Sequence, residues 1–210
     1  MSIIRLSGGG PSLDGVTDLV IGADGLARCA WGASTPDYAV YHDTEWGHPL
    51  RGDDALYERI TLEAFQSGLS WLTILRKRSA FRRAFDDFRI ATVAGYGEAE
   101  VARLLADAGI VRNRAKIEAA IANARVALEL PEGLSALLWS FAPAGRARPA
   151  SHAEVPALTD ASTEMARALK KRGFRFVGPT TAYALMQATG MVDDHLEGCH
   201  VVPSGAGVMG

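Results

Sequence analysis

The chain has 210 residues, 48% of them hydrophobic, enough apolar side chain for one compact domain or two small lobes sharing a cleft, and too much for global disorder. No run approaches 18 uncharged apolar residues, and the N-terminus lacks a basic-then-apolar leader pattern, so a cytoplasmic protein without membrane spans is expected. A net charge of −2 is not the balance of a typical nucleic-acid binder, so DNA binding would have to rest on a local basic face.

Residues 1–27 carry the turn signals GGGPS and GADG and no helical period. They read as a flexible extension, with a short strand at 16–21. From Asp53 the pattern is helical. Asp53 or Asp54 caps a helix bearing Leu56, Ile60 and Phe65 at helical spacing. Ser79 reads as the cap of a helix over 81–88. A helix over 98–108 presents Val101, Leu104 and Leu105 and ends at Gly109. The next runs over 113–130, with Ile117, Ile121 and Leu128 in period, and stops at Pro131. A short apolar helix follows at 134–141, then a Pro/Gly/Arg loop at 143–149. Thr159 or Asp160 caps a helix reaching Arg172 and ending at Gly173. Pro179 suits the first turn of a last helix running to about Thr189. Residues 204–210 read as a flexible tail. The fold class is all-α.

Cys29 and Cys199 lie near opposite ends of the chain, and a disulfide is disfavoured inside a cell. His42 follows Cys29 by thirteen residues, and His195 precedes Cys199 by four, a spacing that puts both side chains on one face of a helix or tight turn. Two thiolates and two imidazoles suit a closed, structural Zn²⁺ site. The spacing alone leaves open a plainer alternative of two buried cysteines and surface histidines.

The segment 174–182 joins two predicted helices through Gly173 and Gly178 and fits a helix-hairpin-helix turn. Backbone N–H groups at such a turn bind a DNA phosphate. Lys170, Lys171 and Arg175 would add charge beside it. An ordinary helical hairpin with a glycine cap has the same sequence pattern. Two further basic groups, Arg76–Arg78 with Arg82 and Arg83, and Arg112, Arg114 and Lys116, are either DNA-facing or simply solvated.

Trp31, Tyr41, Trp46 and Trp71 gather in the first third of the chain, near Glu45 and Glu63. Core packing accounts for any one of these rings. Together they could wall a base-stacking pocket. Glu63 interrupts an apolar helical stretch, and a buried carboxylate calls for a cationic partner.

With these residues in view, the chain resembles the 3-methyladenine DNA glycosylase I family. The resemblance lies in RCAW at 28–31, YHDTEWG at 41–47, LEAFQSGLSWLTILRKR at 62–78, DAGIVRNRAKIEAAIANA at 107–124 and LKKRGFRFVGPTTAYALMQATGMVDDHLEGC at 169–199. It implies two helical lobes of the helix-hairpin-helix superfamily spanning 28–203. It also implies zinc on Cys29, His42, His195 and Cys199, joining the N- and C-terminal segments. Glu63 and Tyr41 would hydrogen-bond the excised base, Trp71 would stack on it, and Trp31 and Trp46 would shape the pocket. The implied activity is monofunctional hydrolysis of 3-methyladenine from alkylated double-stranded DNA, by a monomer acting at the nucleoid. Superfamily members place a catalytic Asp shortly after the hairpin helix, where Asp193 and Asp194 stand. The family is thought to manage without it, and Asp194 is then expected to orient His195.

Overall fold

The computed structural model describes residues 18–203; the expected tail at 204–210 and most of the extension lie outside them. The chain starts with a hairpin, β1 (Leu19–Ile21) antiparallel to β2 (Ala27–Cys29), with Leu19 opposite Cys29. The strand expected at 16–21 is therefore present over its described part. Gly22 and Leu26 close the turn of this hairpin, Gly22 N–H donating to the Leu26 carbonyl at 2.9 Å.

Helices follow. α1 (Pro36–Thr44) was not anticipated, although Thr35 caps it by accepting from Tyr38 N–H and Pro36 opens it. α2 (Asp53–Gln66) begins at Asp53, but neither Asp53 nor Asp54 caps it: Gly52 is the N-cap, and the two carboxylates accept instead from the N–H groups of Ser135 and Ile90. α3 (Trp71–Ala84) corrects the helix expected over 81–88. Ser70, rather than Ser79, caps it by accepting from Thr73 N–H at 3.2 Å, and Ser79 lies inside. Beyond Ala84 the chain makes a tight 3₁₀ turn at Asp86–Phe88, with positive φ at all three residues. α4 (Ile90–Ala94), also not anticipated, is a single short turn. α5 (Glu98–Ala106), α6 (Arg114–Leu128) and α7 (Leu134–Trp139) match the periodic segments, with Asn113 capping α6. A 3₁₀ turn at His152–Glu154 leads to α8 (Asp160–Lys171), capped by Thr159, and α9 (Pro179–Ala188).

The helix α2 runs through the centre, buried from Ile60 to Gln66 without a break. Such a helix is covered on all sides, and α2 packs against α3, α6, α7 and α9. Its floor is a column of rings, with Phe65 against Phe81 and Phe85 stacked on Phe88 at 5.3 Å. The ammonium of Lys116 closes its C-terminal end, donating to the carbonyls of Phe65 and Ser67 at 2.9 and 2.6 Å. No helix among the described residues is long and apolar enough to cross a membrane.

Between α8 and α9 the chain turns through a helical hairpin. Gly173 takes φ +100°, and Phe174 N–H reaches back to the Leu169 carbonyl at 3.0 Å, the Schellman pattern that ends a helix. The buried side chain of Asn123 then holds Arg175 at two points. Arg175 N–H donates to Asn123 Oδ1 at 2.8 Å, and Asn123 Nδ2 donates to the Arg175 carbonyl at 3.1 Å.

Candidate active site

A cleft opens between the segment 31–46, which includes α1, and α2, α3 and α9. Trp31, Tyr38, Tyr41, Trp46 and Trp71 supply its aromatic walls. Trp31 meets Tyr38 and Trp46 edge-on, at centroid distances of 5.7 and 4.9 Å, and Tyr41 leans on Trp71 at 5.6 Å. Glu63, Gln66, Gln187 and Asp194 contribute polar groups, and His152 and Val155 close one edge. All four aromatic residues named from the sequence thus share one cavity with Glu63. Tyr38, Gln66, Gln187 and His152 escaped notice. Tyr38 was legible in part, since it stands one turn before Tyr41 on the same helix.

Glu63 is 6% exposed. Burial raises its carboxyl to about 7, against the pull of the Arg59 charge one turn earlier on α2. The indole N–H of Trp71 is buried without a partner. An orphan donor of this kind costs about 1–3 kcal/mol, and in a cleft wall it marks a position that a ligand or water completes.

Arg59 is the residue that sequence reasoning passed over entirely. It lies behind the wall, its side chain 9% exposed, and donates from Nη1 to the Tyr41 hydroxyl oxygen at 2.8 Å. Its guanidinium carbon sits 5.4 and 5.6 Å from the ring centroids of Tyr41 and Trp71, close enough for cation–π attraction. A cation placed one turn before Glu63 on the same helix was the available signal. Glu45, grouped with Glu63 from the sequence, has a different task. Burial pushes its carboxyl up, but Arg78, at 2.7 Å, and Arg59 more than reverse this. It therefore stays ionised as their counterion.

The four candidate metal ligands converge. Cys29 ends β2, His42 sits in the last turn of α1, and His195 and Cys199 lie on the irregular segment after α9. A turn, rather than the helix that was the other possibility, brings the last two together: Cys199 N–H donates to the Leu196 carbonyl at 3.0 Å, with Gly198 at φ +85°. One donor atom from each residue lies within 4.8 Å of all the others, and all four residues are buried, a group that could hold a metal ion. Each imidazole turns its remaining N–H to an oxygen. His42 Nδ1 donates to Asp43 at 2.8 Å and His195 Nε2 to the Trp46 carbonyl at 3.0 Å. The inward nitrogens, His42 Nε2 and His195 Nδ1, are left as acceptors, each 3.6 Å from Cys199 Sγ.

This corrects the role expected of Asp194. Its buried carboxylate accepts from Tyr183 Oη at 2.6 Å, from Gln187 Nε2 at 2.8 Å and from Arg146, and a backbone carbonyl orients His195 in its place. Asp193 is held by Arg148 at 2.9 Å and by the backbone N–H of His195.

Of the basic groups, Arg76, Arg78 and Arg82 are paired with Asp37, Glu45 and Glu58, Arg114 is paired with Glu118, and Lys116 is buried. Lys170, Lys171 and Arg175 are exposed around the hairpin, as are the backbones of Gly173 and Gly178.

Comparison with known proteins agrees with this architecture. The chain is 44% identical over 183 residues to the DNA-3-methyladenine glycosylase 1 of Escherichia coli, covering 85% of this chain and 98% of that protein. It is 41% identical over 178 residues to the DNA-3-methyladenine glycosylase of Haemophilus influenzae, covering 82% and 96%. The solved 3-methyladenine DNA glycosylase I of Staphylococcus aureus superposes with a TM-score of 0.79 at 35% identity, covering 82% of this chain and 95% of that one. The profile of the methyladenine glycosylase family matches residues 31–202, a span that takes in both walls of the cleft, the hairpin and three of the four clustered ligands. The chain belongs to the methyladenine glycosylase family.

Proposed function

We propose that the protein excises 3-methyladenine from alkylated duplex DNA by hydrolysing the N-glycosidic bond, as the first step of base excision repair. The observation that carries this reading is a buried carboxylate, Glu63, in an aromatic-walled cleft. Methylation at N3 gives the adenine ring a positive charge and makes it a good leaving group. The protein's task is to flip the nucleotide, stack the base and favour its cationic form. Trp71 provides the stacking face, Trp31 and Trp46 shape the pocket, and Tyr41 and Glu63 hydrogen-bond the base edge. Glu63 gains most from the cationic base and less from neutral adenine, so selectivity is electrostatic and needs little general-acid help. Water attacks C1′, leaving free base and an abasic site. Among the described residues lining the cleft none is a lysine, in keeping with hydrolysis rather than Schiff-base strand cleavage.

In this reading the hairpin is a helix-hairpin-helix element. Gly173, Gly178 and the N-terminus of α9 bind a phosphate, and Lys170, Lys171 and Arg175 add charge, so the contact fixes register and reads no sequence. The domain spans 28–203 and works as a cytoplasmic monomer on nucleoid DNA. Cys29, His42, His195 and Cys199 hold one structural zinc. Bonds of about 2.3 Å to sulfur and about 2.0 Å to nitrogen at tetrahedral angles set the two atoms about 3.5 Å apart, and Cys199 Sγ stands 3.6 Å from both inward imidazole nitrogens. With four protein ligands zinc supplies cross-linking and no open coordination position.

Base release from alkylated duplex DNA tests the reading, wild type beside Glu63→Gln. Wild type should release 3-methyladenine and the variant far less. No release by wild type sinks the activity, and a variant of undiminished rate and selectivity sinks the role of Glu63.

A further inference from the structure

The bond between Arg59 and Tyr41 has only one possible sense. A guanidinium carries donors and no acceptor, so at 2.8 Å the Tyr41 oxygen must be accepting. The single phenolic proton is then directed away from Arg59. Arg59 itself is pinned, with Nη2 3.5 Å from Glu45 Oε2 and its plane beside the Tyr41 and Trp71 rings. Glu45 is in turn held by Arg78. Glu63, one turn along the same helix and in the same cleft, offers acceptors when ionised.

We propose that Arg59 is a positioning residue for base selection: by occupying the acceptor side of the Tyr41 hydroxyl it fixes Tyr41 as a donor toward the cleft, so that Tyr41 and Glu63 together read an amino group with a ring-nitrogen acceptor beside it. Adenine presents this pair, N6–H₂ with N7 on one side and N1 on the other. Guanine shows O6 beside N7, two acceptors, and a carboxylate is the wrong partner for O6. A neutral side chain at position 59 could turn round and let Tyr41 reverse its bond, whereas a guanidinium cannot. Its positive charge, adverse to a cationic ligand, is set against Glu45 and Glu63.

The inference rests on the cleft being the base pocket. Its test is calorimetric binding of 3-methyladenine and of its 7-deaza and 1-deaza analogues, each lacking one ring acceptor. For wild type, one analogue should bind about tenfold more weakly, the size of one lost hydrogen bond with its donor left buried. In Arg59→Gln, whose carbonyl can accept the Tyr41 proton, that penalty should shrink to roughly twofold or less. Arg59→Met should do the same by freeing Tyr41 to turn toward Glu45. Tyr41→Phe should abolish the penalty, and adding Arg59→Gln should change nothing more. A purely structural Arg59 would lower affinity for all three bases alike, so an unchanged penalty in both Arg59 variants overturns the proposal. It also fails if wild type binds 3-methyladenine and both analogues equally. Absence of any 3-methyladenine binding by wild type is a different result and removes the pocket assignment itself.

Discussion

Glu63 shows how one side chain trades stability for recognition. Its carboxyl goes from an ordinary value of 4.5 to about 7 in the folded protein. The folded state therefore holds the proton more tightly than the unfolded chain, and stability is lost as pH rises from 4.5 through 7. Above that window the cost is about 3 kcal/mol, since each tenfold gain in proton affinity is worth about 1.4 kcal/mol. Glu63→Gln should thus stabilise the protein by about 3 kcal/mol at pH 8 and by almost nothing near pH 4, while base release collapses. Urea unfolding at the two pH values measures this; equal effects at both would show that burial is not what holds the proton. The same titration means that the empty protein is fully ready for a cation only above pH 7. Affinity for alkylated DNA should climb between pH 6 and 8, and in Glu63→Gln it should not. Glu63 was legible in the sequence because an acidic residue inside an apolar helical run is costly unless it is used. Arg59 was missed because a long cation on a helix is ordinarily read as solvated, and only packing reveals that it is walled in.

Among the elements, those with a cap and a stop were readable. Asn113 and Pro131 bracket α6, and Thr159 and Gly173 bracket α8. The start of α3 was misplaced because two serines compete: Ser79 precedes an apolar residue, but Ser70 precedes the helix-forming run from Trp71 and wins. α1, though as long as α5, gathers no apolar stripe on one face, and α4 is a single short turn; both are held by tertiary contact, α1 on α3 and α4 on α6. The hairpin was legible as a pattern, whereas its brace, Asn123, fifty-two residues before Arg175, was not. Asn123→Ala would strip two backbone groups of their partner at a cost of about 1–3 kcal/mol each if they stay dry. If the hairpin anchors DNA, affinity for undamaged duplex should fall at least about fivefold, while affinity for free 3-methyladenine stays put. Anisotropy with labelled duplex, beside calorimetry with the base, separates the two. A parallel loss in both would mean that Asn123 supports the fold generally.

Across the whole molecule, the cluster of Cys29, His42, His195 and Cys199 joins the beginning of the described chain to its end. Its residue types were visible, yet their convergence depends on every helix between them, so spacing alone left it open. Closing so long a loop removes much freedom from the unfolded chain. Metal analysis should find about one zinc per chain. Cys199→Ala should lose it and unfold at lower urea concentration; full zinc content in that variant would contradict the assignment. The cluster also borders the cleft, because Trp46 meets the His195 ring edge-on at 4.7 Å while walling the pocket. Gly47 beside it leaves no room for a side chain, since a Cβ there would lie 2.8 Å from His195 Nε2. Metal removal should therefore weaken base binding as well as stability.

The arrangement of indoles has an optical consequence. Of the four tryptophans, Trp31, Trp46 and Trp71 line the cleft. Trp139 stands apart, its indole N–H given to the Leu50 carbonyl at 2.9 Å and its ring covered by Arg51 at 3.6 Å. Three of the four indoles therefore face a single cavity, and in Trp139→Phe every remaining indole would. A flipped purine sliding between those rings would announce itself as quenching, with no label attached to protein or DNA.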